Sequence, residues 1–595
     1  MLLFDLETNG LLDEVSTLHC IATYDTRTSE ARVYSSLAGD LETGIRSIMD
    51  APLIGGHNVI KYDIPVLQKL YPHTFKIDPA KVFDTLIAAR LIWTNIKDTD
   101  AGLLRQGKLP GKRFGSFALE AFGYRLGEMK GEYSGGWETV NQDMIDYCIQ
   151  DVQVTTKLWE KIKSKNYPKT ALTLEHEVAW LIAQQERNGF CFDEAAAVTL
   201  FTKLLKRQSQ LQLELETFFG SWESPLPDFI PKRANKTKGY LAGVPVKRSQ
   251  TIIFNPQSRL HIANRLMVLY GWTPTVFTDG GSVKVDETVI GSLTYPPCPI
   301  LNEYLTVEKR LSQLANGNQA WMRVVKKGKI HGSVTTNGAI TGRASHSHPN
   351  ISQVPNSGAP YGSECRSLFT VPEGWYLCGS DQSGLELRCL AHFLARLDGG
   401  KYAEAVVNGD VHTLNQHAAG LATRAEAKTF IYAWLYGGGD ELVGNIVGGG
   451  DREGRKIKSR FLKANPAIKE LRNAVVLKAE NEKKLIGLDG RTIHIRAAFS
   501  SLNALLQGAG AVLCKKWIVL VERELRKTLK HGWDGDYVLC AWSHDETQHG
   551  CRTLEIAEYV AKVCCEQAVQ AGLAFNFRCA TAGEAKIGKN WSETH

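Results

Sequence analysis

The sequence predicts a mixed α/β protein of more than one domain, and three observations predict it. A chain of 595 residues is longer than one hydrophobic core organises. Residues 1 to about 165 alternate strand-like and helical stretches, the pattern of a sheet carrying helices on its faces. The C-terminal half returns to mixed strands and helices after a long helical interval. Composition sets bounds. A hydrophobic fraction of 43% and a charged fraction of 22% are ordinary for a globular chain. No window is expected to approach the roughly 18 apolar residues of a membrane span, so no membrane partner is expected. The start, "MLLFDLETNG", has no basic region and reaches an acid at Asp5, which argues against a secretory signal. Thirteen cysteines without CxxC or zinc-type spacing fit a reducing cytoplasm without disulfides. The net charge of +7 permits a polyanionic partner and does not demonstrate one.

Taken in order, "LHCIATYDT" and "EARVYSS" read as strands and "DMIDYCIQDVQVTTKLWEKIK" as a helix. From Ala171 to about Gly220 the pattern is long and helical. A breaker-rich stretch follows, "SPLPDFIPKRANKTKGYLAGVPVKRSQ". Within residues 231–250 it holds Lys232, Arg233, Lys236, Lys238, Lys247 and Arg248 and no acid. Its plain reading is a solvated loop. Glycine clusters mark "YGGGDE" and "VGGGDREG", and no internal repeat is evident.

A first set of acids lies in the N-terminal α/β region. Asp5 and Glu7 stand two apart in a strand-like run, so both side chains leave one face of the sheet. Asp63 follows in "GGHNVIKYDIPVL", and Tyr147 and Asp151 stand four apart on a helix, sharing a face. Singly, each is an ordinary solvated acid. Together, four oxygen-donor residues can hold two hard Mg²⁺ ions about 4 Å apart, with Tyr147 orienting an attacking water. The order Asp-x-Glu, Asp, Tyr-x-x-x-Asp resembles the 3′→5′ proofreading exonucleases of the DEDDy type. That resemblance implies a ribonuclease-H-like fold, with Asp5, Glu7, Asp63 and Asp151 as metal ligands.

The second set is split. "WYLCGSDQSGLELRCLAHFLARLD" reads as a strand ending near Asp381, then a helix; Ser383 and Glu386 fit a Ser-x-x-Glu capping box, their local reading. Far downstream, "AWSHDETQHG" places Asp545 and Glu546 beside His544 and His549. A polar hairpin turn, a zinc site and a magnesium site all suit this stretch alone. Such a turn would bring Asp545 to a sheet edge where Asp381 can meet it. Between them, Arg424, Lys428 and Tyr432 are spaced i, i+4, i+8 in "TRAEAKTFIYAWLYGGGDE". They form one helical stripe of two cations and a ring, either an exposed basic face or what a triphosphate with Mg²⁺ needs.

"SDQSGLELR", "RAEAKTFIYAWLYG" and "SHDETQHG" resemble motifs A, B and C of family A DNA polymerases, the polymerase I family. Stretches such as "KDTDAGLLRQGKLPGKRFGS", "YRLGEMKGEY" and "SGLELRCLAHF" are similar to the replicative polymerases of T-seven-like short-tailed bacteriophages. The likeness runs from Asp5 to the closing "GKNWSETH", except about 221–250. It implies an exonuclease domain (1–165) followed by a right-hand polymerase domain. The thumb would span 166–317, with the short basic segment 221–250. The palm would span 318–393 and 503–595, and the fingers 394–502.

By the resemblance, Asp381 and Asp545 hold Mg²⁺, helped by the backbone carbonyl of Gln382, two ions in each site, with Mn²⁺ a substitute. Zinc is disfavoured because the donors are hard oxygens without a cysteine cluster. Arg424, Lys428 and His412 would contact the triphosphate. Glu386 and Tyr432 would pack against the sugar and exclude a 2′-hydroxyl, and Tyr rather than Phe at 432 implies poor rejection of dideoxynucleotides. Tyr436 and Gly437 would border the templating base, and His544 the primer terminus. Glu546 is an acid without an assigned role, and His549 a strand residue. The minor groove shows nearly the same acceptors at every base pair. Arg343, Asn350, Gln353, Arg491, Asn503 and Gln507 are the residues expected to read it without reading sequence.

The implied activity is primer-dependent, template-directed dNTP addition with proofreading, replicating phage DNA in the cytoplasm of an infected bacterium. Partners implied are primer-template DNA, dNTPs, a phage helicase–primase and a single-stranded DNA-binding protein. No preceding 5′-nuclease domain is seen, so flap removal is not expected. The short segment 221–250 puts a thioredoxin-type processivity factor in doubt. Three rival readings remain: a single-subunit RNA polymerase relative, an exonuclease with a DNA-binding half, and an organellar or bacterial repair polymerase.

Overall fold

The computed structural model describes residues 1–128, 133–278 and 280–595. Residues 129–132 of the phage-like stretch "YRLGEMKGEY" lie outside the described residues. The chain divides into two compact units, one of Met1–Phe190, His331–Gln353 and Val371–His595, the other of Cys191–Ile330 and Val354–Thr370.

The first unit begins with a five-stranded sheet. Its strands are β1 (Leu2–Thr8), β2 (Leu18–Asp25), β3 (Glu30–Ser35), β4 (Ile54–Gly56) and β5 (Val82–Asp84), in the order β3-β2-β1-β4-β5. β1 runs antiparallel to β2 and parallel to β4. Helix α1 (Asp63–Leu70) follows β4, and α2 (Gln142–Ser164) lies against β1 and β2. α2 buries Cys148, Asp151, Thr155, Leu158 and Ile162, a stripe at three- and four-residue steps. Its start is capped by the Asn141 carboxamide, which accepts from the Met144 N–H at 2.8 Å. Helix α3 (Lys169–Asn188) closes this part of the chain.

The second unit opens with helix α4 (Glu194–Phe219), held to a helix at Cys298–Leu311 by the Arg207–Glu303 pair at 2.7 Å. Of segment 221–250, expected as a solvated loop, residues 230–245 lie outside any strand and are mostly exposed, while the two ends pair as strands. Strand β6 (Ser221–Phe229) pairs antiparallel with β7 (Val246–Ile253). Pro225 and Pro227 did not prevent it, because prolines two apart remove donors from one edge only, and a two-stranded ribbon has an edge to spare. The six cations of 231–250 are all exposed.

Back in the first unit, four strands build a fully antiparallel sheet. They are β8 (Tyr376–Gln382), β11 (Tyr537–Ser543), β12 (Glu546–Cys551) and β13 (Gly583–Gly588), ordered β11-β12-β8-β13. Between β8 and β11 run α5 (Leu385–Asp398), α6 (Val411–Ala419), α7 (Arg424–Leu435), a small hairpin of β9 (Lys484–Ile486) and β10 (Thr492–His494), and α8 (Ser501–Leu525). Helix α9 (Leu554–Leu573) lies on the sheet and on α8, and Trp517 Nε1 of α8 donates to the Cys564 carbonyl at 2.8 Å.

α8 corrects one expectation. Ala498–Leu525 is long and apolar enough to cross a membrane, with a mean hydropathy of 1.5, although no such window was expected. Its apolarity is turned inward: 78% of that window is buried, and a helix packed on all sides reads as apolar all round.

Candidate active sites

The end of β8 carries Asp381, in register with Glu546 on β12 and with Glu584 on β13. β11 and β12 are joined by His544 and Asp545, with His544 at φ 60°. The Gln382 N–H donates to the Asp545 carbonyl at 3.1 Å and ties the strand end to that turn. Two aspartates separated by 164 positions in sequence thus meet at one sheet corner. Burial, then the charges of Asp545 and Glu546, push Asp381 up to about 7. Burial, then Glu386, push Asp545 up to about 6. Desolvated carboxylates that repel one another gain most from a cation. The donors are hard oxygens, which fit Mg²⁺ or Mn²⁺. The Gln382 side chain is buried, its Nε2 without a hydrogen-bond partner.

The capping box expected of Ser383 and Glu386 does not form. Gly384 precedes α5 at φ 58°, and no side chain caps the helix. Ser383 Oγ donates to Glu584 at 2.8 Å instead. Glu386 is thereby left to face a cavity of about 160 Å³, lined also by Arg343, Tyr436, Lys515, His544 and Asp545. Its carboxylate accepts from the Tyr436 hydroxyl at 2.5 Å and from Arg343 at 3.3 Å. Glu386 therefore bonds Tyr436, and its charge also acts on the Tyr432 hydroxyl.

α7 presents the stripe of Arg424, Lys428 and Tyr432, and its start carries the capping box of Thr423 with Glu426. Arg424 donates to Asp410 at 2.8 Å, and both are exposed. The His412 ring lies 6.3 Å from that of Tyr432, and burial with the nearby Arg424 and Lys428 charges lowers its pKa. Burial and the charges of Glu386, Asp545 and Asp381 raise the Tyr432 hydroxyl.

Asn350 accepts from the Ser352 hydroxyl at 2.6 Å, and Gln353 is exposed beside it. Asn503 and Gln507 stand one turn apart, half-buried, on α8. Arg491 is a correction. It is 2% exposed, and its guanidinium is spent on Asp489 at 2.6 Å and Glu175 at 2.7 Å, so it is not available to a groove of DNA. Arg491 sits between β9 and β10, and that hairpin folds it inward. Glu175 also accepts from Lys515 at 2.5 Å, and both are 0% exposed. Sequence reading missed this pair, although a lysine inside "AGAVLCKKWIVLV" was a signal. Glu546 is buried and accepts from Trp591 and Gln548, and His549 is a buried strand residue.

The N-terminal acids share a second cavity, of about 810 Å³, whose lining includes Asp5, Glu7, Asp63, Tyr147 and Asp151. Asp63 is the first residue of α1; burial, with the charges of Asp84 and Asp151 adding to it, pushes it up to about 7. Tyr147 packs 6.3 Å from Trp137 and 5.9 Å from Tyr133. Among the described residues, the three-residue group with ligand atoms all within 4.8 Å of one another is Asp5, Glu7 and Cys148. Asp63 and Asp151 line the cavity and stand outside that group. Hard oxygens again fit Mg²⁺.

With this geometry in view, the chain's similarities can be stated. The profile of "DNA polymerase family A" matches residues 245–593. A DNA-directed DNA polymerase of Enterobacteria phage T3 is 42% identical over 705 aligned positions, covering 100% of both chains. One of Escherichia phage T7 is 42% identical over the same span and coverage. The alignments are longer than this chain, so the relatives hold residues it lacks. Among solved structures, the POL domain of Pol1 from M. smegmatis, in complex with DNA primer-template and dNTP, has a TM-score of 0.74. It is 16% identical and covers 99% of this chain and 96% of its own.

Proposed function

This chain belongs to DNA polymerase family A, and on that premise we propose that it is a phage replicative DNA polymerase with its own 3′→5′ proofreading exonuclease. It would copy phage DNA within an infected bacterium, alongside a phage helicase–primase and a single-stranded DNA-binding protein. The observation that carries the polymerase assignment is the convergence of Asp381 and Asp545 at one sheet corner, where the Gln382 N–H binds the Asp545 carbonyl.

Asp381 and Asp545, with the Gln382 carbonyl, would hold Mg²⁺. There it would supply acidity to a primer 3′-hydroxyl and positive charge to the triphosphate and leaving pyrophosphate. The chain's own groups do the rest. Arg424, Lys428 and His412 bind and orient the phosphates. Tyr432 covers base and sugar, and Glu386 stands where a 2′-hydroxyl would intrude. Tyr436 borders the templating base. Arg343, Asn350, Gln353, Asn503 and Gln507 hold the duplex through the minor groove, and His544 stands near the primer end. In the N-terminal cavity Asp5, Glu7, Asp63 and Asp151 would hold Mg²⁺ for hydrolysis, and Tyr147 would orient water.

Paired assays on a primed template test both sites. Asp381→Ala should abolish extension and leave degradation. Asp5→Ala and Glu7→Ala should do the reverse. Loss of both activities in any single variant, or extension that survives Asp381→Ala, overturns the assignment.

A further inference from the structure

One carboxylate in the last turn of α3 holds a hairpin that reaches the polymerase cavity. Glu186 Oε1 accepts from the Lys61 ammonium at 2.6 Å, from the Val334 N–H at 2.6 Å and from the Ser333 hydroxyl at 3.3 Å. Lys61 also donates to the Val334 carbonyl at 3.0 Å. Val334 lies on a two-stranded hairpin, Ser333–Thr335 against Ser345–Ser347, in register opposite His346. Its N–H and C=O are both spent outside the hairpin, so the ion pair stands where a third strand would. The same hairpin carries Arg343, which lines the polymerase cavity and donates to Glu386 at 3.3 Å. It also carries His346, whose ring meets that of His544 edge-on at 5.8 Å. On the other side, the Asn337 amide donates to the carbonyl of Arg90 at 3.0 Å, and Arg90 lines the N-terminal cavity. Neither Lys61 nor Glu186 is among the described residues that line either cavity. An acid in the last turn of a helix faces the negative end of the helix dipole, so Glu186 gains from the ammonium it holds.

We propose that Glu186 and Lys61 are positioning residues for primer extension, holding the hairpin so that Arg343 and His346 stand correctly against Glu386 and His544. The proposal rests on the polymerase reading above. Without the pair, both backbone groups of Val334 turn to water and that edge of the hairpin is released. Misplacing groups that orient a reacting end by about 1 Å costs up to about 100-fold in rate. The phosphates are assigned to α6 and α7, which the pair does not touch. The loss therefore falls on the rate of incorporation and not on dNTP affinity.

Glu186→Ala in the full chain is the test, with Glu186→Gln as the conservative variant, whose amide oxygen can still accept from Val334. In single-turnover incorporation, Glu186→Ala should lower the maximal rate at least about tenfold and leave the dNTP Kd within about twofold. Glu186→Gln should recover most of that rate. Combining Lys61→Met with Glu186→Ala should cost no more than Glu186→Ala alone, because the two residues act as one unit. Without DNA, hydrogen exchange of the peptide spanning 333–347 should quicken in Glu186→Ala. Unchanged near-ultraviolet dichroism and unchanged degradation of single-stranded DNA would show that the fold persists. An unchanged rate, a loss confined to the dNTP Kd, or exchange indifferent to the substitution overturns the proposal. Equal losses of extension and of single-strand degradation would mark a general structural role and overturn it as well. Quickened exchange in the variant, with no extension by the parent, would uphold the anchor and count against the polymerase reading.

Discussion

Glu175→Gln puts the buried charges behind the Glu386 cavity, which Lys515 helps to line, to a quantitative test. Glu175 is 0% exposed and accepts from Lys515 at 2.5 Å and Arg491 at 2.7 Å. The amide keeps the shape and removes the charge. Arg491 retains Asp489 at 2.6 Å, but Lys515 loses the carboxylate that held its ammonium. Removing one partner of a buried ion pair costs about 3–5 kcal/mol. The lower end applies here, because burial already depresses Lys515 to about 8 and the lysine can shed its proton. About 3 kcal/mol at neutral pH is therefore expected, read from the urea midpoint and m-value of the transition that reports on the first unit.

The pH dependence follows from proton counting. Without Glu175 the folded-state pKa of Lys515 falls further below about 8. Between the two values the parent's native state binds more protons than the variant's, so the variant's deficit shrinks as pH rises. Above pH 8 Lys515 is neutral in both, and what persists is the Arg491 contribution. A deficit below about 1 kcal/mol at pH 7, or one that is constant or widens up to pH 9, would refute the reasoning.

Four further outcomes are expected. Asp381→Asn and Asp545→Asn should each lower the extension rate by more than about 100-fold, exceeding the loss typical of an outer partner of a metal ligand, in single-turnover dNTP incorporation. Chelation with EDTA should abolish both extension and degradation, with Mg²⁺ or Mn²⁺ restoring them. Tyr432→Phe should raise rejection of dideoxynucleotides about tenfold, the worth of one hydrogen bond, in competition between dNTP and ddNTP on one primer. Changing Lys232, Arg233, Lys236 and Lys238 to Gln should flatten the slope of log Kd against log salt by about 1 to 3, measured by anisotropy on primer-template.

What could be read without coordinates is what short-range chemistry sets. β2 and β3, α2, α3 and α4 show as apolar periodicity, because each residue's inward or outward face is written into its spacing. Asp5 with Glu7, Tyr147 with Asp151, and Arg424 with Lys428 and Tyr432 were legible for the same reason. Each pair or stripe lies on one element, and helix and strand periods decide its geometry. Only the tertiary structure decided what lies across elements. Ser383 and Glu386 satisfied the local pattern of a cap, yet an α-left Gly384 and the nearby Glu584, Tyr436 and Arg343 drew them elsewhere. Arg491 looked like a surface cation until β9 and β10 folded it onto Asp489 and Glu175, the latter 316 positions earlier in the sequence. The sulfur of Cys148 met Asp5 and Glu7 only because α2 packs on β1. Distance along a chain carries no information about which charges will share a dry interior. Packing makes that choice, and desolvation makes it matter.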